Sequence, residues 1–274
     1  MTRPRSRPRP LPRGARDALE ALGDRRASPN LRWLAGLLDE PVDALRPMLS
    51  ELGELVAYEA ALRAQHRAAG RSFFAQFRAP FELYLLVRRA RPAHVVETGV
   101  SSGVSSMHIL LALRANGRGT LHSVDRPIVQ RAPALGRTES AVAVPPGRSS
   151  GWAVPPSLAR GWDLRLGASE TVLPALVDEL PSVDLFLHDS HHTPAHLAFE
   201  LGTIRPKLPP GAVVLADNTV WTGAAFPRFA RRLRARVVRR GRSDLVGLRV
   251  PGTEPTGGAR RTTRRPARRS RSSR

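Results

Sequence analysis

The sequence predicts an α/β fold: a Rossmann-like sheet with helices on both faces, preceded by a helical N-terminal extension. Three observations predict it. Beyond about residue 90 the apolar period switches repeatedly between 2 and 3.6, strand and helix in turn. The strand segments are short apolar runs, as expected of strands covered on both faces. Clusters of Gly, Ser and Asp follow several of these runs, where strands end and helices begin. A chain of 274 residues, 41% of them hydrophobic, is long enough to bury a sizeable core without staples. Zero cysteines exclude disulfides, thiolate zinc sites and a cysteine nucleophile.

Helical spacing runs through residues 31–38, 42–64 and 73–87, giving a mostly helical N-terminal third. The period then changes. Strands are expected at 94–98, 120–124, 163–166, 183–187 and 212–216, with helices at 102–116, after 166 to about 179, and 194–205. Residues 236–250 read as two strands around the Gly241 turn. The expected organisation is a basic tail over 1–16, a helical extension over 17–90, the α/β domain over 91–250 and an Arg-rich tail over 251–274, both tails disordered.

The net charge is +21, and much of it lies at the ends: six Arg without an acid in residues 1–16, eight Arg against Glu254 in residues 251–274. Lys207 is the only lysine, and so lopsided an Arg preference reads as coding bias rather than selection for a binding surface. The tails could still hold RNA or other anions weakly and in a salt-sensitive way. Alternating Pro and Arg near the start precludes an amphipathic targeting helix, and no apolar signal region follows it. No apolar run approaches the roughly 18 residues of a spanning helix. The expected location is the cytoplasm.

Chemistry enters at E-T-G-V-S-S-G-V-S, residues 97–105, after the first strand. Gly99 and Gly103 would let the backbone approach a bulky ligand. This is not a dinucleotide fingerprint, because Ser101 occupies the middle glycine position. Glu97 with the hydroxyls of Ser101, Ser105 and Ser106 suits the ammonium and carboxylate of S-adenosylmethionine (SAM). Asp125, ending the next strand, could accept both hydroxyls of a ribose. In G-A-S-E, residues 167–170, Ser169 could reach an adenine edge or merely cap the following helix.

Asp189 ends D-L-F-L-H-D, and Asp217 with Asn218 ends the next strand. Adjacent parallel strands lie about 4.8 Å apart, so these hard oxygen donors could converge on one Mg²⁺ completed by water and substrate oxygens. The bland alternative is that both aspartates cap helices. His188, His191, His192 and His196 crowd one loop, but Pro194 separates them from a regular helical pair, which argues against a histidine-only metal site. Residues 126–161, holding Trp152, form a long connection that could act as a lid, and Trp221 could stack on a ring or pack at the sheet edge.

These motifs, in this order over about residues 73–229, resemble class I SAM-dependent methyltransferases. They are similar in particular to the metal-dependent catechol-type O-methyltransferases, and closer still to a bacterial group related to macrolide-sugar O-methyltransferases (methyltransferase 24-like). The resemblance implies a seven-stranded sheet with an antiparallel final strand, SAM as methyl donor and a divalent cation. It implies Glu97, Gly99 and Ser105 at the methionine part, with Ser101 and Gly103 in the same loop, Asp125 at the ribose, and Ala168, Ser169 and Glu170 by the adenine. Asp189, Asp217 and Asn218 match the metal ligands.

The catechol-type catalytic lysine is replaced here by His192, which puts catechol in doubt as substrate. The reaction implied is in-line attack of a substrate oxygen on the sulfonium methyl. A phenol near pKa 10 facing a histidine near 6.5 is mismatched by roughly 3.5 units, about 5 kcal/mol. A dication offsets this by stabilising the oxyanion. His192 and Asp189 are thus the expected catalytic pair, acting on a small hydroxylated substrate. A nucleic-acid methyltransferase, a SAM-binding protein without catalysis, and a homo-oligomer stay open.

Overall fold

The computed structural model describes residues 29–70, 77–127, 144–241 and 244–252. Except for residues 251 and 252, the two Arg-rich tails lie outside the described residues. The N-terminal part contributes α1 (Pro29–Leu38), α2 (Leu52–Ala69) and α3 (Pro80–Ala90). Then follow β1 (His94–Thr98), α4 (Val104–Asn116), β2 (Thr120–Asp125), β3 (Trp162–Leu166), α5 (Ser169–Glu179), β4 (Leu185–His188) and α6 (Pro194–Ile204). The chain continues through β5 (Val213–Ala216), α7 (Ala225–Arg232), β6 (Val238–Arg239) and β7 (Val246–Arg249). No helix of the described residues is long and apolar enough to cross a membrane.

The seven strands lie in the order β3-β2-β1-β4-β5-β7-β6. The first five pair in parallel, whereas β7 runs antiparallel to both β5 and β6. Strand side chains alternate between two apolar layers, as a period of 2 requires. Val95, Leu185, Leu187, Val213 and Leu215 face the layer containing α1–α4. Val96, Phe186, Val214, Ala216 and Val246 face the layer containing α5, α6 and α7. Both faces are covered, so β4 and β5 are buried at every position.

Two N-terminal expectations change. Residues 42–64 are not one helix: 3₁₀ turns at Val42–Ala44 and Arg46–Glu51 precede α2. Pro47 lacks the N–H that a continuous α-helix would use and its ring obstructs the preceding turn. The helix expected from 73 begins at Pro80, because proline drives Ala79 out of the α region to φ −133°, ψ 45°. Residues 71–76 lie outside the described residues.

The helical extension also reaches toward the strand tips. Gln65 Nε2 of α2 donates to the Ala153 carbonyl at 3.2 Å, and His66 meets the Trp152 ring edge-on at 5.4 Å between centroids. Of the connection expected to act as a lid, residues 128–143 lie outside the described residues. Residues 150–154 lie across the loop after β1.

Candidate active site

The C-terminal tips of β1, β2, β4 and β5 converge on one edge of the sheet, and the loop after β1 is shaped by its neighbours. Gly99 has φ 87°, and a Cβ there would lie 2.0 Å from the carbonyl oxygen of Asp189. Only a residue without a side chain permits this approach of two strand tips. Asp189 N–H donates to the Thr98 carbonyl at 2.8 Å, extending the β1–β4 pairing by one step. At Gly103, φ 91°, a Cβ would collide with Val154 at 2.4 Å. Across the loop, Gly151 and Ala153 N–H groups donate to the Ser101 and Ser102 carbonyls at 2.7 and 3.1 Å. Residues 150–154 therefore form a strap bound through the backbone.

Glu97 lies beneath this loop. It is fully buried, and its oxygens accept hydroxyls from Ser105 at 2.5 Å, Ser106 at 2.6 Å and Ser123 at 2.8 Å. The serine hydroxyls expected to meet the ligand's ammonium and carboxylate are directed to Glu97 instead. Ser101 differs: its Oγ is buried with no hydrogen-bond partner at the loop tip, φ 49°. Burial, opposed by the three hydroxyls, pushes the Glu97 carboxyl up to about 7 from 4.5.

This shift has a measurable consequence. Below pH 4.5 the group is protonated both folded and unfolded; between 4.5 and about 7 the folded chain keeps a proton that the unfolded chain releases. Stability contributed by Glu97 is therefore lost as pH rises through that window, by about 3 kcal/mol at 1.36 kcal/mol per unit. In thermal melts from pH 4 to 8, Glu97→Gln is expected to show a shallower decline than the unmodified protein. Parallel curves would refute the assignment.

Asp125 closes the loop from the side. Its carboxylate accepts the Val100 and Ser101 amides at 3.1 and 3.3 Å and the Ser150 hydroxyl. The carboxylate expected at a ribose is thus also the anchor of both the loop and the strap.

Ser169 is the first residue of α5 rather than its cap, which is Ala168 with no side-chain hydrogen bond. Ser169 Oγ lies 3.0 Å from His196 Nε2, and Glu170 Oε1 lies 3.0 Å from His196 Nδ1. The aspartates do not cap α6 either. Thr193 does, accepting the His196 amide at 3.2 Å.

Asp189, His192, Asp217 and Asn218 come together at the tips of β4 and β5. His192 Nε2 lies 3.4 Å from Asp189 Oδ1 and 3.4 Å from Asn218 Nδ2. Asp217 Oδ1 accepts the Asn218 amide at 2.9 Å, while Asn218 adopts φ 51°. Burial raises the Asp189 carboxyl to about 7 against the His192 hydrogen bond, and the charge of Asp217 adds to the rise. Burial also raises Asp217, opposed by the Asn218 amide. A partly buried Asp189 and a buried Asp217, beside the Asn218 amide, supply hard oxygen donors of the kind a dication takes. Among the described residues no group of three or more His, Asp or Glu is arranged to hold a metal ion.

His188 leaves β4 on the side away from Asp189, as expected, and its Nδ1 meets Glu200 Oε2 at 2.7 Å. Sequence position alone does not single out Glu200, nor Thr98 and Ser190, which also bond to it. A signal existed in the His196-to-Glu200 spacing of four, which places both on one face of α6. Trp221 is 44% exposed, so it is not packed away at the sheet edge.

Residues 96–219 match the family described as a methyltransferase domain. No curated protein matches the sequence. Among solved structures, the chain is similar to the O-methyltransferase NovP (16% identity, 63% of this chain and 79% of that one, TM-score 0.49). It is also similar to the O-methyltransferase TomG from Streptomyces achromogenes, solved with SAM (19%, 72% and 90%, TM-score 0.48). A third is the SAH-bound methyltransferase PaMTH1 from Podospora anserina (16%, 72% and 88%, TM-score 0.48). The family match covers the loop after β1 and the tips of β2, β4 and β5, and the sheet has the expected seven strands with β7 reversed. Residues 96–219, which hold the loop after β1 and the tips of β2, β4 and β5, are thus similar to a methyltransferase domain.

Proposed function

We propose that this protein methylates a hydroxyl oxygen of a small molecule, with a divalent cation held by Asp189, Asp217 and Asn218. The observation that carries this reading is the meeting of His192 with Asp189 and Asn218, each at 3.4 Å, directly beside the glycine loop. Bound SAM supplies an electrophilic methyl group, and a bound dication supplies positive charge for the acceptor oxygen. The glycine loop and its unpartnered Ser101 hydroxyl suit the methionine part, Asp125 the ribose, and Ala168, Ser169 and Glu170 the adenine. His192, oriented by Asp189, receives the acceptor's proton. The exposed Trp221 ring, three residues beyond Asn218, suits the face of a flat acceptor.

Calorimetry with SAM, with and without Mg²⁺, tests the cofactor half; turnover on a panel of hydroxylated compounds before and after EDTA tests the rest. The expected result is SAM binding, with turnover abolished by EDTA and restored by Mg²⁺. Turnover that survives EDTA and Asp217→Ala would remove the cation from the reading, and absence of SAM binding would remove the reading itself.

A further inference from the structure

We infer that Glu200 is a positioning residue that fixes the adenine end and the reactive end of the crevice in a single register. This inference rests on the proposed function for what the two ends hold. Glu200 is fully buried on α6, and all four of its partners carry part of the site. Its Oε2 accepts Thr98 Oγ1 at 2.7 Å, from the tip of β1, and faces His188 Nδ1 at 2.7 Å, from the tip of β4. Its Oε1 accepts Ser190 Oγ at 2.8 Å, from the loop carrying Asp189 and His192, and faces His196 Nε2 at 2.9 Å.

His196 carries the link onward to Ser169 and Glu170 on α5, each at 3.0 Å. His188 carries it toward the reactive end, its ring meeting that of His192 edge-on at 5.4 Å between centroids. One carboxylate thus joins the tips of β1 and β4, the loop after β4 and, through one imidazole, the start of α5.

Two alternatives are weaker. Ser169, His196 and Glu170 have the spacing of a hydrolytic triad, with hydroxyl and carboxylate on opposite ring nitrogens. Glu200, however, faces the same Nε2 as Ser169. Burial disfavours a charged His196, yet the hydrogen bond and charge of Glu200, followed by Glu170, outweigh it and raise its pKa. A ring nitrogen protonated toward Glu200 cannot take the Ser169 proton, so the serine is not an activated nucleophile. The other alternative is a stabilising role in α6 itself. That helix is capped by Thr193 and seated by Leu197, Leu201 and Ile204, so an apolar residue would serve at position 200 at less desolvation cost.

Glu200→Gln keeps the shape and removes the charge, and His196→Gln cuts only the arm to α5. Calorimetric titration with SAM, after circular dichroism and a cooperative melt establish folding, is expected to show about a tenfold loss of affinity in each variant, the scale of removing a residue that orients direct ligands. Histidine ¹⁵N NMR over a pH series is expected to show the His196 midpoint raised above the ordinary histidine value in the unmodified protein and lower in Glu200→Gln. The charged or titratable groups facing that ring are Glu170, Glu200, His188 and His191.

If the unmodified protein fails to bind SAM, the proposed function falls while the NMR arm still reads the Glu200–His196 link. SAM affinity unchanged in folded Glu200→Gln, or in folded His196→Gln should the first variant not fold, overturns the inference.

Discussion

Alanine at Gly99 is expected to lower the unfolding midpoint by about 10 °C and to abolish SAM-dependent turnover. A left-handed backbone costs an L-residue about 1–2 kcal/mol, and forced overpacking adds about 1–3 kcal/mol. At roughly 2–4 °C per kcal/mol for a chain of this size, the sum gives that shift. The new methyl group would lie 2.0 Å from the Asp189 carbonyl oxygen, which belongs to backbone and cannot swing aside. Activity should therefore fail together with stability, because the displaced residue belongs to the reactive end. Gly117→Ala is the matched control: its φ of 66° is also left-handed, but nothing lies within 4 Å of the added carbon. Differential scanning calorimetry of the pair separates collision from backbone preference, and equal losses would show that the contact with Asp189 does not matter.

His192→Ala is expected to reduce turnover about 10²- to 10⁴-fold, the usual contribution of a positioned general base. SAM affinity should change less than twofold, because Asp189, Asn218 and His188, which the ring meets, are not among the residues assigned to the cofactor. Single-turnover kinetics on an acceptor identified in the panel, with calorimetry for SAM, make the comparison. A loss confined to KM for SAM would reassign His192 to cofactor binding.

The sheet was legible because its residues obey local rules. Valine and leucine runs gave β1, β2, β4 and β5 to within two residues, and glycines and acids fell at the strand tips where the geometry needs them. The N-terminal third was less legible: its apolar spacing is helical throughout, and Pro47 and Pro80 divide it where periodicity alone sees continuity.

At the site, Asp189 and Asn218 were found together around His192 as their positions on adjacent strands suggest. The inward turn of Glu97 onto Ser105, Ser106 and Ser123 was hidden, since a strand-tip acid can face ligand or core and only packing decides. Glu200 was hidden for a related reason: its partners are brought together from residues 98, 188, 190 and 196 by tertiary structure.

The central pairing of β1 with β4 aligns Thr98 with His188, ninety positions further along. During synthesis on the ribosome, the half of the crevice built from β1 and β2 emerges first and has no wall. The close approach of Gly99 to the Asp189 backbone must wait until β4 has left the exit tunnel and docked. A nascent chain halted before Asp189 would thus keep the loop after β1 without its neighbour, which makes resistance of that loop to proteolysis a readout of how far synthesis has run.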